Sequence, residues 1–278
     1  MSIVTLFARR DETDDAGLSY AANLAATLER PLKAISALPD ASSVYSYSAP
    51  EFAIGVSTVV AKEIVEAQEN LLRDSRAAFD RIVAASDLQA GTATFEERAG
   101  FPADVAGDEA TLADAIVFPR AAAKPGHGLS PACEHVMMDA SLPLVIAGTD
   151  GRVAGPVLVA WDGSDESARA VRGFFPLMAS LGKVIIAQNE SQLGRAAKRA
   201  SHDPARLQDW LKAKGIASER AALNGQVGEG LLTLAENMKA ALIVSGAYGH
   251  SRAGERLFGG VTRTLLTADQ APALALCH

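Results

Sequence analysis

Val157-Leu-Val-Ala-Trp-Asp-Gly-Ser-Asp-Glu166 is the stretch from which the fold is read. A short apolar run ends in a polar turn, and an Ala-rich amphipathic pattern follows. The run is apolar at every position, as a strand covered on both faces of a parallel sheet must be. Asp162-Gly163 suits a tight turn and Ser164 a helix N-cap, while Asp165 and Glu166 suit the positive end of the helix that follows. The spacing predicts a helix over 165–181 with Ala168, Val171, Phe175, Met178 and Leu181 on one face.

Downstream, strands and helices alternate. The pattern predicts strand 183–187, helix 203–214 broken by Gly215, a strand near 216–223 and helix 228–239. Strand 241–245, helix 261–268 and strand 272–277 complete the series. Strict alternation implies a parallel sheet with helices on both faces.

The chain repeats this plan once. Val136-Met-Met-Asp-Ala-Ser-Leu-Pro-Leu-Val-Ile-Ala147 resembles Thr264-Leu-Leu-Thr-Ala-Asp-Gln-Ala-Pro-Ala-Leu-Ala-Leu276. Each is a helix end, a polar break, then X-Pro and a buried strand, and the residue before each proline is pushed out of the α region. Ala115-Ile-Val-Phe118 pairs with Leu242-Ile-Val-Ser245, and Ile3-Val-Thr-Leu-Phe-Ala8 with Val157-Leu-Val-Ala-Trp161. Repeats so far apart mean a duplicated domain and not a solenoid. The first half carries a longer second helix, about 57–85, and an insertion, Asp40 to Val56, holding Tyr45, Tyr47 and Phe52. The insertion reads as a surface loop or as a lid or partner contact. Gly148-Thr-Asp-Gly-Arg-Val-Ala-Gly-Pro156 is a turn-rich linker, so the domains are expected at 1–150 and 151–278. The fold class is α/β: two tandem, open, five-stranded parallel-sheet domains of the Rossmann-like kind.

Composition narrows the function. The 278 residues are 49% apolar and carry a net charge of −7, which argues against a nucleic-acid partner. Two cysteines, Cys133 and Cys277, make neither a disulfide framework nor a metal cluster and read as small buried apolar residues. The N-terminal apolar run is too short for a signal peptide, and its arginines follow it. No stretch reaches the roughly 20 apolar residues of a membrane span. A soluble, cytoplasmic protein is expected.

Ligands of open parallel sheets bind beyond the carboxyl ends of the strands. Three features of the second half converge there. Asp162, at a strand tip, can accept a hydrogen bond from an adenine amine or a ribose hydroxyl, although a tight turn and a cap account for the residues that follow it. Gly246-Ala-Tyr-Gly249 follows the strand 241–245, and Gly246 lets the backbone turn sharply and leaves room for a ligand. Gly259-Gly260-Val261-Thr262 opens a helix whose free N–H groups can hold phosphate, with the Thr262 hydroxyl as a further donor.

Together these residues resemble the universal stress protein family. Its nucleotide-binding members carry Gly, two residues, Gly, nine residues, Gly, then Ser or Thr. Here Gly246 and Gly249 are two residues apart, residues 250–258 number nine, and Gly259 follows. The resemblance covers the second half and reaches the first through topology and the repeated C-terminal segment. It implies an adenine nucleotide alpha hydrolase-like fold whose halves pack about a pseudo-twofold as an intramolecular pseudo-dimer. The last strands, 142–147 and 272–277, would meet there, and two such chains would be able to pair as a homodimer. Residue by residue, it implies that Asp162 meets the adenine–ribose end of ATP and that Gly246 and Gly249 line the ribose and phosphates. Gly259, Gly260 and Thr262 would hold the phosphates, with Val261 between them. The family's Ser or Thr position is Gly260 here, so one hydroxyl is lost and Thr262 is the candidate to compensate. The implied ligand is ATP, with AMP or ADP as alternatives and Mg as an accompanying ion. An empty cradle is the remaining alternative.

The first half departs from this pattern. Arg9 or Arg10 stands in the place of Asp162 and Pro119 in that of Gly246, and proline offers no N–H. The loop from Arg120 to Ser130 lacks the glycine spacing, so this half reads as a degenerate copy that supplies an interface. Arg252 and Arg256 are candidate phosphate clamps or solvated loop residues, and His250 a candidate base or an exposed one. His127, His135, His202 and His278 show no ligand spacing, and Trp161 reads as core. No P-loop, nucleophile elbow or paired-acid motif occurs. The leading expectation is therefore a nucleotide-sensing stress protein that acts through an unidentified protein partner, not an enzyme. The alternatives are a nucleotide-free interaction module and a slow ATPase or nucleotidyl-transfer relative.

Overall fold

The structure, a computed structural model, describes residues 2–7, 12–38, 58–139, 142–149, 151–193, 200–247, 260–268 and 270–278. The insertion 40–56 lies outside the described residues. Ten strands are present among those described: β1 (Ile3–Phe7), β2 (Leu32–Leu38), β3 (Ala93–Ala99), β4 (Ala115–Phe118), β5 (Leu144–Ile146), β6 (Val157–Ala160), β7 (Val184–Gln188), β8 (Ser218–Ala222), β9 (Leu242–Gly246) and β10 (Ala273–Cys277). They form one sheet in the order β3-β2-β1-β4-β5-β10-β9-β6-β7-β8. Read from its own outer edge, each half runs third, second, first, fourth, fifth strand.

Within each half every pairing is parallel. The seam is antiparallel: Leu274 faces Ile146, Ala275 faces Val145 and Leu276 faces Leu144. The two expected five-stranded sheets are thus joined by backbone hydrogen bonds into one. The last strands meet where expected because both are short, wholly buried and apolar at every position. The outer edges differ from the seam. β3 carries Glu96, Glu97 and Arg98, and β8 carries Glu219 and Arg220, charges that discourage further strand pairing.

Alternation along each strand sorts the core into two layers. Ile3, Val117, Val145, Val157, Val159, Val244 and Ala275 share one face of the sheet. Val4, Leu6, Ile116, Phe118, Leu158, Ile243 and Leu276 share the other. The first layer is covered by α1 (Glu12–Thr27), α2 (Thr58–Ala84), α5 (Asp165–Gly173), α6 (Phe175–Leu181) and α7 (Pro204–Ala213). The second is covered by α3 (Pro102–Ala110), α4 (Ser130–Glu134), α8 (Val227–Met238) and α9 (Gly260–Thr267). In the first half the segment before Pro143 continues from α4 into a single π-helical turn, His135–Asp139, whereas its counterpart α9 is plain α-helix.

One expected element is corrected. The helix 165–181 is two helices joined at Phe174. Pro176 has no N–H to donate, and its ring opposes the carbonyl four residues back, so the first helix stops at Gly173. The buried stripe is Ser167, Ala170, Val171, Phe174, Leu177 and Met178, while Ala168, Phe175 and Leu181 are half-buried.

Candidate functional site

A cleft of about 300 Å³ opens at the carboxyl ends of β6, β7 and β9. Its lining includes Trp161, Asp162, Ser164, Glu166, Gln188, Asn189, Ser245, Gly246, Gly260, Val261 and Thr262. Five of the expected site residues, Asp162, Gly246, Gly260, Val261 and Thr262, therefore share one cavity. Gly249 and Gly259 lie outside the described residues, as do His250, Arg252 and Arg256.

The Asp162 turn is built from its own side chains. Asp162 Oδ1 accepts the N–H of Ser164 at 2.9 Å and the Ser164 hydroxyl at 2.6 Å. Ser164 Oγ accepts the N–H of Ser167 at 3.2 Å and caps α5. Asp162 therefore has a structural task at one oxygen, which the sequence reading did not require of it. Gly163 is held at φ +70° against the backbone of Ser201 and His202, a position closed to any residue with a Cβ.

Two residues behind the turn carry no sequence motif. The His202 ring, buried, bonds through Nδ1 to the carbonyl of Asp162. That carbonyl can only accept, so Nδ1 carries a proton. Among the described residues Nε2 has no hydrogen-bond partner. Gln188 Nε2 donates to the carbonyls of His202 at 2.7 Å and Trp161 at 3.3 Å. Asn189 donates to the Gly225 carbonyl at 2.8 Å and accepts from the N–H of Ser191 at 3.1 Å. The end of β7 thus ties together the turns on either side of it. The signal was present in the sequence: Gln188-Asn189 is a polar pair closing an otherwise apolar strand. Trp161 packs half-buried against the first core layer while also walling the cleft, and its indole N–H is buried with no partner among the described residues.

Gly246 differs from expectation in its physical reason. A Cβ there would stand 2.7 Å from the backbone N of Ser167 and 2.7 Å from the carbonyl carbon of Glu166. The glycine lets the start of α5 lie on the end of β9, and the crowding comes from that helix. Gly260 is the opposite case: it is exposed, opens α9, and a Cβ on it would meet none of the described residues within 4 Å. The open space demanded of a ligand cradle is therefore at Gly260. Thr262 is buried.

The first half is arranged otherwise. Pro119 is buried at the end of β4, against Gly17 of α1. His127 Nδ1 accepts the N–H of Leu129 at 3.2 Å, which leaves Nε2–H to donate to Thr13 Oγ1 at 3.0 Å. The loop after β4 is thereby laid on the start of α1. Arg9 and Arg10 lie outside the described residues. Cys133 and Cys277 are both buried.

Strand order and a cleft beyond the carboxyl ends of the strands define a doubly wound α/β protein of tandem type. The family model described as "Universal stress protein family" matches residues 154–275. A universal stress protein from Archaeoglobus fulgidus DSM 4304 superposes with a TM-score of 0.60 at 13% identity, over 99% of this chain and 97% of that chain. A Pseudomonas aeruginosa UCBPP-PA14 protein assigned to the same family gives a TM-score of 0.51 at 13% identity, over 99% and 92%. A universal stress protein solved in complex with cAMP is 30% identical over 45% of this chain and 98% of that chain, with a TM-score of 0.35. No curated protein matches the chain. The chain belongs to the universal stress protein family.

Proposed function

We propose that the second half, 151–278, binds an adenine nucleotide, ATP first, and that the protein serves as a cytoplasmic stress-response regulator acting through a protein partner. The first half, 1–150, is on this reading a degenerate copy of the same domain. One observation carries the proposal: Asp162, Gly246 and the start of α9 line one cleft at the edge where open parallel sheets take ligands. Asp162 would meet the adenine–ribose end. Gly260, Val261 and Thr262, with Gly249 and Gly259 beyond the described residues, would lie along the phosphates. The space that the described residues leave over Gly260, and the N–H groups of the first turn of α9, which no carbonyl of the helix itself accepts, fit an anion. A bound magnesium would arrive with the phosphates, since the described residues contain no group of three His, Cys, Asp or Glu able to hold a metal. No described helix is long and apolar enough to cross a membrane.

The regulatory role is preferred to catalysis on the state of the hydroxyl nearest Asp162. Ser164 Oγ donates to Asp162 and accepts the Ser167 N–H, the work of a cap and not of a nucleophile. The second reading, a nucleotide-free interaction module, is favoured by Gly260 standing where nucleotide-binding relatives carry a hydroxyl.

Mass spectrometry of the supernatant from freshly purified, denatured protein tests the reading, together with calorimetric titration of ATP, ADP, AMP and cAMP. Gly260→Val is the control, because no described residue lies within 4 Å of its Cβ position. Stoichiometric nucleotide in the parent and none in G260V is expected. A parent that carries none and takes up none moves the assignment to the interaction module.

A further inference from the structure

The start of α9 faces the cleft, and its other end is held by the opposite half. Arg120 opens a short 3-10 turn, Arg120–Ala123, directly after β4. Its Nη1 donates to the carbonyl of Leu265 at 2.9 Å and to that of Leu266 at 3.4 Å. Its Nη2 donates to the carbonyl of Pro272 at 2.9 Å. Leu265 and Leu266 lie in the last turn of α9, where carbonyls have no partner within the helix. Pro272 immediately precedes β10. One planar fork therefore bridges the end of the helix to the start of the strand that follows it. The positive charge also sits at the negative end of the helix dipole.

A second contact acts on the same segment from the same side. The N–H of Thr149 donates to the Ala271 carbonyl at 3.0 Å, and the N–H of Ala271 donates to Thr149 Oγ1 at 3.1 Å. The helix has eight residues, too few to be stable by itself. Its own half seats it through Leu265, Leu266 and Thr262, all buried, and through Thr264 against Gly228 of α8. Its axial position and the end of its hydrogen-bond ladder are fixed from the first half.

We propose that Arg120 is a positioning residue for the cleft: it sets where the N-terminus of α9 stands, so that affinity at Gly260–Thr262 depends on the packing of the first half against the second. The inference rests on the reading of the cleft as a nucleotide site. It assigns the degenerate half a task in binding without giving it a ligand. By reciprocity, a ligand bound at the start of α9 strengthens the Arg120 contact at its end.

The test uses the full chain with Arg120→Ala and Arg120→Lys. ATP affinity is measured by calorimetry at a temperature where every variant is fully folded, and amide exchange is followed in the peptide covering 260–272. In R120A the expected result is binding weakened about tenfold, the scale of losing charge-assisted hydrogen bonds, with faster exchange in 260–272 and unchanged exchange in β1 and β6. R120K keeps the charge without the fork and should fall between R120A and the parent; it carries the test alone if R120A does not fold. Unchanged exchange in 260–272, or faster exchange with unchanged ATP affinity, overturns the proposal. A parent chain that binds no adenine nucleotide overturns the reading of the cleft and this proposal with it. It is recognised before any substitution is made, and the exchange data still judge whether Arg120 holds the helix.

Discussion

A Cβ on Gly17 would stand 3.1 Å from the ring of Pro119, and a Cβ on Gly246 would stand 2.7 Å from the backbone N of Ser167. Both are contacts between the first helix of a half and the tip of its fourth strand. In the first half the glycine is on the helix and the bulk on the strand; in the second the arrangement is reversed. Pro119 is therefore not merely a lost ligand residue: it is accommodated by a glycine on the other side of the contact. Gly246→Ala should destabilise the protein by about 1–3 kcal/mol, the usual cost of overpacking against backbone that cannot move. Gly17→Ala should cost less, because the gap there is wider. Urea denaturation of the two variants compares them, and a G246A protein as stable as the parent would remove the steric account of Gly246.

Asp162 has two separable tasks on the present reading. Its Oδ1 closes the turn with Ser164. Its other oxygen is the acceptor offered to a ligand. Asp162→Ala should lower stability by about 1 kcal/mol and abolish binding. Asp162→Asn keeps an oxygen for the turn and replaces the other acceptor with a donor, so it should restore the stability and leave ATP binding about tenfold weaker. Thermal melts read the first effect and titration calorimetry the second. An Asn variant that binds as well as the parent would confine Asp162 to the turn.

Gly260 is the departure from the family pattern that most bears on affinity. No described residue lies within 4 Å of its Cβ position, so Gly260→Ser displaces none of them. A serine also loses less conformational entropy than glycine in a helix, a gain of about 0.5 kcal/mol. If phosphate lies at the start of α9, the new hydroxyl should raise ATP affinity about fivefold, the scale of one added hydrogen bond. A G260S chain with a higher melting temperature and unchanged affinity would place the phosphates elsewhere.

The thiols make a prediction independent of any ligand. Burial pushes Cys133 up from 9.0 to about 12, and the nearby Glu134 charge acts in the same direction. Burial likewise raises Cys277, against a smaller lowering by Arg169. The thiolate is the reactive form, so neither should react with Ellman's reagent at pH 8 until the chain is unfolded. The linkage follows in sign. Above pH 9 the unfolded chain loses the Cys133 proton while the folded one keeps it, so the unfolded state binds fewer protons. Stability should then fall between pH 9 and about 12, by up to about 1.4 kcal/mol per pH unit from this group. Replacing Cys133 with Ala should flatten that part of the pH–stability curve.

Much of this was legible in the residues. The strands were readable because buried parallel strands are apolar at every position, as in Val157-Leu-Val-Ala160 and Leu242-Ile-Val244. The seam was foreseeable from the family resemblance, and Leu144–Ile146 and Ala273–Cys277, which offer no polar side chain to water, suit it. The break at Phe174 was also readable from Pro176, but the apolar spacing beyond it masks the interruption. The Arg120 contact is of another kind. An arginine bound to backbone carbonyls on the far half leaves no complementary side chain to find, because every residue carries a carbonyl. His202 escapes for the same reason, its ring bonding a main-chain oxygen, whereas Gln188 is marked in the sequence only by the polar pair it forms with Asn189 at the end of an apolar strand.

The antiparallel seam between β5 and β10 has a consequence for how such a protein ages and diverges. Two separate subunits joined at this edge would dissociate on dilution and re-pair with other copies. Here the partner is tethered, so the joint is insensitive to protein concentration. The second half keeps the same first half beside it throughout the life of the molecule. Selection can then treat the two copies unequally, since a change in either is always met by the same partner.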